Sequence, residues 1–186
     1  VLYVAKDRES ASLDGFWKML TAEQLAGIEG VAMDMWDPFE KSIREHVPGA
    51  DEKIVYDKFH IVKHLNEAVD KVRRQEHKEL QAAGDERLKG TKYDWLRNCD
   101  NFDRESWREF QVLKATNLKT SRAWAIREQA LALWDYSSET WARKHFRQWY
   151  YWATHSRLKP MIETAKMLQR RVNNVLSYLK HRITNA

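Results

Sequence analysis

Two aspartates directly follow short runs of strand-forming residues. Asp34 comes after residues 31–33, and Asp57 comes after residues 54–56. If the two runs form neighbouring parallel strands, both carboxylates lie at one edge of the sheet, where open α/β folds hold ligands and metal ions. Carboxylate oxygens are ligands that Mg²⁺ prefers, and several such acids together support phosphoryl transfer by two metal ions. The sequence therefore indicates Asp34 as a candidate metal ligand.

The segment from Asp57 to His60 is the second candidate for chemistry. An Asp and a His three residues apart, at the junction of a strand and a helix, can share a hydrogen bond or a metal ion. Asp57 can equally well cap the helix, with His60 in its first turn, and both interpretations stay open. Asp37 has a better explanation, because it forms a capping box with Glu40, and we expect it to cap a helix.

Short elements are predicted before residue 61. Strand-forming residues occupy 1–5, 28–33 and 54–56, and six of the nine Gly and Pro residues lie before residue 50. A capping box at Thr21 begins one of the short helices. A helix crosses between the second and third runs, so these two strands are predicted to be parallel.

From Ile61 onward the hydrophobic residues recur with the period of an α-helix. Helices are predicted to end near Gly84, to cover 94–99 and 103–118, and to begin at Ser121, at Ser137 or Ser138, and at Pro160, the last continuing to Leu179. Seven of the nine Trp residues fall in this part. Aromatic residues at helical spacing usually fill the space between helices, so we expect core positions rather than stacking on bases.

Charge is divided unevenly along the chain. Residues 1–60 carry 7 Lys and Arg against 12 Asp and Glu, net −5, whereas residues 61–186 carry 25 against 15, net +10. Residues 140–186 hold ten Lys and Arg and one acid, Glu163. Such a block can attract polyanions, although a solvated helical surface has the same composition.

Cysteine usage and hydropathy favour a cytoplasmic protein. Cys99 is the one cysteine, which excludes a disulfide framework, and we expect it to be a small buried side chain rather than a nucleophile. No apolar stretch approaches the roughly 20 residues that a membrane-spanning helix needs. A bacterial cytoplasmic location near the nucleoid, without membrane association, is the expectation.

Several segments, which follow one another in the same order, resemble the DDE transposases of bacterial insertion sequences, ISL-three type. The resemblance is carried by residues 28–39, 47–50, 54–63, 69–74, 90–93 and 184–185. It implies a ribonuclease-H-like catalytic fold with a helical insertion. We therefore expect a mainly α (α+β) chain, with a partial α/β layer of about three short strands in residues 1–60 and an all-helical insertion domain in residues 61–186.

The resemblance also implies roles for individual residues. Asp34 corresponds to the second acid of the catalytic triad and would bind Mg²⁺ or Mn²⁺. Asp57 and His60 correspond to the family's Asp-x-x-His motif. Thr184 and Asn185 correspond to the Thr-Asn pair that shortly precedes the catalytic glutamate. The first acid would precede residue 1 and the glutamate would follow residue 186, so this chain alone is expected to be inactive.

The function that the resemblance implies is cutting and joining of DNA at insertion-sequence ends by Mg²⁺-dependent phosphoryl transfer, in a homo-oligomer that holds transposon ends and target DNA. Basic residues expected to contact DNA phosphates are Lys63, Arg73, Arg74, Arg143, Lys144, Arg147, Arg170 and Arg171. The alternative hypothesis is a non-catalytic helical module that binds nucleic acid or a partner, such as a decayed transposase remnant.

Overall fold

The computed structural model describes residues 2–184, so Val1 and Asn185 of the predicted motifs lie outside the described residues. Within that part the chain is mainly helical with a small parallel sheet, which confirms the predicted fold class. The chain forms two compact units, Val1–Ile61 with Arg171–Ala186, and Val62–Arg170. These units differ from the predicted domains, 1–60 and 61–186, because residues 171–184 group with the first.

Twelve α-helices and two strands occupy the described residues, with short 3₁₀ turns between some of them. In chain order they are α1 (Asp14–Trp17), α2 (Ala22–Ala26), β1 (Val31–Met33), α3 (Asp37–His46), α4 (Ala50–Lys53), β2 (Ile54–Tyr56), α5 (Lys58–Ala82), α6 (Lys92–Leu96), α7 (Arg104–Ala115), α8 (Lys119–Leu131), α9 (Glu139–His155), α10 (Lys159–Arg170), α11 (Val172–Leu176) and α12 (Tyr178–His181). None of the helices within residues 2–184 is both long and apolar enough to cross a membrane.

The sheet of the first unit consists of β1 and β2 in parallel. Val31 lies opposite Ile54 and Met33 lies opposite Tyr56, which confirms the predicted parallel pairing, although β1 is shorter than the predicted 28–33. The third predicted strand, at residues 1–5, is wrong for its described part, because residues 2–5 have no regular structure. No strand within residues 2–184 pairs with that segment, and a strand without a paired neighbour is not stable in water.

Strand β2 is completely buried, and the C-terminal helices help to cover it. Residues 54–56 have no exposed surface, as expected for a parallel strand with both faces covered. Asn174 of α11 donates from Nδ2 to the carbonyls of Ile54 (3.1 Å) and Asp51 (2.9 Å). The hydroxyl of Ser177 donates to the same Ile54 carbonyl (2.6 Å). These bonds fix the C-terminal helices to the sheet.

The last predicted helix, from Pro160 to Leu179, is interrupted, and this part of the prediction is wrong. Helix α10 ends at Arg170, and Arg171 has φ −117° and ψ 12° before α11 begins. The Arg171 guanidinium lies 2.5 Å from a carboxylate oxygen of Asp37. The helix is therefore interrupted at Arg171, which takes part in a long-range ion pair, although the hydrophobic period continues.

The same ion pair corrects the role predicted for Asp37. Asp37 is the first residue of α3, Trp36 holds the N-cap position, and no side chain caps this helix. The Asp37 carboxylate accepts from Arg171 instead of from its own helix. The capping box at Thr21 is confirmed, since its hydroxyl accepts from the Gln24 amide (3.2 Å) and the Gln24 side chain accepts from the Thr21 amide (2.8 Å).

The core of the second unit is built around aromatic rings. The ring of Phe110 lies 5.0 Å from Trp95, 5.1 Å from Phe102 and 5.4 Å from Trp124 between ring centroids. Edge-to-face and offset geometries of this kind stabilise aromatic pairs beyond the area that they bury. The prediction that the Trp residues fill the core holds for Trp95, Trp124, Trp134 and Trp149.

Two other Trp residues of this part of the chain contradict the core prediction. Trp141 is 58% exposed and Trp152 is 40% exposed, both on α9. The buried stripe of α9 consists of Ala142, Phe146, Trp149 and Ala153, and Trp141 and Trp152 lie beside it. Trp149 is held in the core, where its Nε1 donates to the Ile126 carbonyl (2.8 Å).

A buried acid from another helix caps α8. Glu76 of α5 is 6% exposed and accepts from the backbone amides of Lys119 (2.7 Å) and Thr120 (2.8 Å). These amides belong to the first turn of α8, where the helix itself offers no acceptor. The helix therefore begins at Lys119 and not at the predicted Ser121.

Asn174→Ala should lower the free energy of unfolding by about 1–3 kcal/mol, because the buried Ile54 carbonyl and the partly buried Asp51 carbonyl lose the same donor. Urea unfolding followed by circular dichroism measures the change. Asn117→Ala, which truncates an exposed Asn, is the matched control and should stay within about 0.5 kcal/mol of the wild type. Equal stability of Asn174→Ala and the wild type would contradict the proposed attachment of the C-terminal helices to β2.

Candidate active site

The paired ends of the two strands place Asp34 and Asp57 at one edge of the sheet. Each aspartate directly follows a strand whose last residues, Met33 and Tyr56, lie opposite one another. The backbone amide of Asp57 donates to the Met33 carbonyl (2.9 Å), which extends the ladder by one bond. The pairing register of the three residues in β1 with the three in β2 thus determines where both aspartates lie.

Asp34 forms an ion pair with Arg8. One guanidinium nitrogen of Arg8 lies 2.7 Å from Oδ2 of Asp34, and the side chains are 65% and 23% exposed. Trp36 holds Arg8 in place, because its indole Nε1 donates to the Arg8 carbonyl (2.7 Å) and its ring lies 5.2 Å from the guanidinium carbon. The sequence prediction missed Arg8, since a pair separated by 26 residues leaves no local pattern.

The ion pair leaves Asp34 accessible to other cations. Ion pairs with an exposed partner contribute about 0–1 kcal/mol, because water screens the charges and the long side chain loses freedom. Arg8 occupies Oδ2, so a cation that binds this oxygen must displace the guanidinium. The small free energy of the pair makes this displacement easy.

Asp57 caps helix α5. It is 2% exposed, and its Oδ1 accepts from the backbone amide of Phe59 (2.8 Å), while its carbonyl accepts from Ile61 (3.3 Å). Of the two interpretations of Asp57, helix capping is the one that agrees with these contacts. Its second oxygen, Oδ2, is buried and has no hydrogen-bond partner among residues 2–184. Buried oxygens are rarely left unpaired, so capping alone does not explain why the position carries a carboxylate.

His60 lies in the first turn of α5 and is half-buried. Its ring packs edge-on against Phe59, 5.4 Å between centroids. In the described part of the chain no hydrogen bond joins His60 to Asp57, so the two motif residues are close in sequence without forming a pair.

The donor set at this edge suits a divalent cation in chemical type but not in number. Asp34 offers a carboxylate oxygen, which is the ligand type that Mg²⁺ prefers. Residues 2–184 contain no group of three or more His, Cys, Asp or Glu side chains that could hold a metal ion. Asp34 can therefore supply one ligand, and the described residues do not complete a metal site.

The side chain of Tyr56 is not available as a base near this edge. Its hydroxyl donates to Glu40 (2.6 Å). Burial raises the pKa of Tyr56 above its ordinary value, and the bond to Glu40 raises the pKa further. The phenol stays neutral and serves to position α3 against β2.

Several of the predicted DNA contacts are engaged inside the chain. Arg73 is buried and, like Arg74, pairs with Asp70. Arg143 pairs with Glu139 at 2.7 Å, and Arg171 pairs with Asp37 as described above. The remaining members of the predicted set are exposed: Lys63, Lys144, Arg147 and Arg170.

Cys99 is half-buried, with Sγ 3.6 Å from a carboxylate oxygen of Glu128. Burial raises the pKa of the thiol, and the neighbouring Glu128 raises it further. The thiol therefore stays protonated at neutral pH, where a nucleophile needs the thiolate.

Comparison with known proteins places the chain among transposases. The family DDE_Tnp_ISL3, described as Transposase, matches residues 1–186. The protein named "Transposase for insertion sequence element IS1001", from Bordetella parapertussis, is 29% identical over 184 residues, or 97% of this chain. The chain spans 45% of the length of that curated relative. No solved structure matches the chain.

Substitution of Asp57 separates capping from charge. Asp57→Ala should lower the free energy of unfolding by about 0.5–2 kcal/mol, because the Phe59 amide loses its acceptor. Asp57→Asn keeps that acceptor and should cost clearly less. Chemical denaturation of both variants measures the difference, and equal losses would show that the negative charge, not the acceptor, stabilises this position.

Proposed function

Because the chain belongs to the transposase family DDE_Tnp_ISL3, we propose that it carries part of the catalytic centre of an enzyme that cuts and joins DNA at insertion-sequence ends. The observation that carries the proposal is the position of Asp34, an accessible carboxylate at the end of a parallel strand. Ligands of open α/β sheets bind at this edge. Asp34 is the acid that we assign to the reaction.

In the proposed mechanism Asp34 acts as an oxygen ligand. A bound Mg²⁺ or Mn²⁺ would activate the attacking hydroxyl and stabilise the leaving oxygen. The rigid sheet holds the Asp34 backbone in place, and Arg8 neutralises the carboxylate until it is displaced. Since the described residues offer one accessible acid here, further ligands have to come from outside them.

Asp57 is proposed as a positioning residue. The hydrogen bond from its backbone amide to the Met33 carbonyl joins the ends of the two strands, and its carboxylate caps α5. Both contacts fix the backbone next to Asp34. His60, the second residue of the Asp-x-x-His motif, is proposed to act at the same edge, since it lies in the first turn of α5.

The C-terminal residues support a catalytic rather than a remnant role. Thr184, which by resemblance shortly precedes the third acid, belongs to the same compact unit as Asp34. Asn174 and Ser177 hold that segment on β2 through buried hydrogen bonds. A catalytic centre assembled from distant segments needs such a connection.

DNA is the proposed substrate, held through the exposed cations among the predicted contacts. Lys63, Lys144, Arg147 and Arg170 are exposed and suited to phosphate oxygens. We propose a homo-oligomeric enzyme in the bacterial cytoplasm, at the nucleoid, in which two transposon ends and the target DNA meet.

Asp34→Asn in the full-length protein should reduce cleavage of DNA carrying the transposon ends at least 100-fold, corresponding to about 2.7 kcal/mol of lost transition-state stabilisation. The amide keeps the size of the side chain but loses the charge that binds a cation. Cleavage assays on labelled DNA give the rate, and gel-shift assays should show unchanged binding to the ends.

Asp135→Asn, at an exposed position in the second unit, serves as the matched control and should cleave like the wild type. Undiminished cleavage by Asp34→Asn would remove Asp34 from the mechanism. Binding to the ends without any cleavage by the wild type would favour the non-catalytic DNA-binding module.

A further inference from the structure

Helix α9 of the second unit has an exposed side that carries aromatic, basic and polar side chains. We call it the α9 face, and it consists of Trp141, Lys144, Gln148, Tyr151, Trp152 and His155. Spacings of three and four residues place these side chains on one side of the helix. The first and last members are separated by about 21 Å at 1.5 Å per residue.

The aromatic residues of the α9 face are unusually accessible. Trp141 is 58% exposed, Tyr151 is 65% exposed and Trp152 is 40% exposed. The core side of the same helix is occupied by Phe146 and Trp149, which are buried. Several large apolar side chains exposed on one side of a helix are typical of a binding surface.

Cationic groups lie beside the exposed rings. The Lys144 ammonium lies 5.0 Å from the centre of the Trp141 ring. The His155 ring stacks on Tyr151 at 4.0 Å and 28° between planes. The rings of Trp141 and Tyr151 therefore have defined neighbours, an ammonium group for Trp141 and an imidazole ring for Tyr151.

The charge around the α9 face suits a polyanion. Within residues 139–170 the two acids are already paired, Glu139 with Arg143 at 2.7 Å and Glu163 with Lys159 at 3.9 Å. Lys144 and Arg147 form no ion pair with any described residue. Their charges are available to an anionic partner.

The chemistry of the α9 face selects among partners. An apolar protein surface or a lipid tail would bury the charge of Lys144 without a counter-ion, which costs free energy. A regular duplex offers phosphates but keeps the flat faces of its bases stacked inside. A single strand offers both phosphates and open base faces, and bases stack well on aromatic side chains.

We propose that the α9 face binds unpaired nucleotides, with bases stacked on Trp141, Tyr151 and Trp152. The phosphates lie next to Lys144 and next to Arg147, an exposed residue at the border of the face, three residues after Lys144 and four before Tyr151. The polymer is DNA if the proposed function holds, and the site then receives a strand that is opened or cut at a transposon end. The stacking surface itself depends only on the geometry of α9.

Fluorescence anisotropy of the 186-residue chain with a labelled 15-nucleotide oligo(dT), and with a labelled 15-base-pair duplex, tests the proposal. The double variant Trp141→Ala/Tyr151→Ala should lose at least 10-fold in affinity for oligo(dT), since it removes two of the three rings on which bases would stack. Its affinity for the duplex should change less than 2-fold.

Two matched controls accompany this variant. Trp141→Phe/Tyr151→Phe keeps the rings and should retain most of the oligo(dT) affinity. Tyr93→Ala removes another exposed tyrosine, whose ring lies 5.5 Å from the Lys92 ammonium, and should bind oligo(dT) like the wild type. Urea midpoints of all variants verify that they are folded.

The outcomes separate this inference from the proposed function. Binding of the duplex without any effect of the double variant on oligo(dT) would overturn the inference alone. Failure of the wild type to bind either DNA would overturn the inference and the DNA contacts proposed for this unit, while the Asp34→Asn cleavage test would stand. Concentration-dependent self-association that the double variant abolishes would identify a protein interface instead and overturn the inference.

Discussion

The parallel pairing of two three-residue strands is the constraint on which the candidate site depends. Strands this short do not form a stable two-stranded sheet alone in water, so the helices that bury β2 have to supply the stability. Asn174 and Ser177 reach the Ile54 carbonyl from a segment 120 residues later in the chain. The positions of Asp34 and Asp57 follow from this long-range attachment.

The two aspartates at the end of the sheet differ in environment and therefore in role. Asp57 is buried and its contacts are those of a helix cap, whereas the Asp34 side chain is 23% exposed and is paired with the more exposed Arg8. An acid that binds a metal ion must be reachable and must exchange partners at low cost. Asp34 meets both requirements, and Asp57 serves the backbone that carries it.

Local signals in the sequence predicted local structure well. The strands that precede Asp34 and Asp57, their parallel pairing and the capping box at Thr21 depend on residues close in sequence or on a single crossing helix. The predictions failed where a distant side chain decides the outcome. Asp37 pairs with Arg171 instead of capping α3, and Glu76 of α5 caps the first turn of α8.

The candidate site was predictable in part for the same reason. Asp34 stands out by its position after a strand, but Arg8 has no sequence signal, because the ion pair exists only in the folded chain. Helical spacing places Trp141 and Trp149 on different parts of α9, but it does not say which part faces the core, and the packing of the second unit decides this.

The central claim is that the Asp34 carboxylate binds the metal ion of the reaction. The most direct measurement is the anomalous scattering of Mn²⁺ in crystals of the full-length protein bound to a transposon end. The account predicts an anomalous peak in contact with an Asp34 oxygen, with the Arg8 guanidinium displaced from Oδ2. Manganese bound by other residues, with the Arg8–Asp34 ion pair intact, would contradict it.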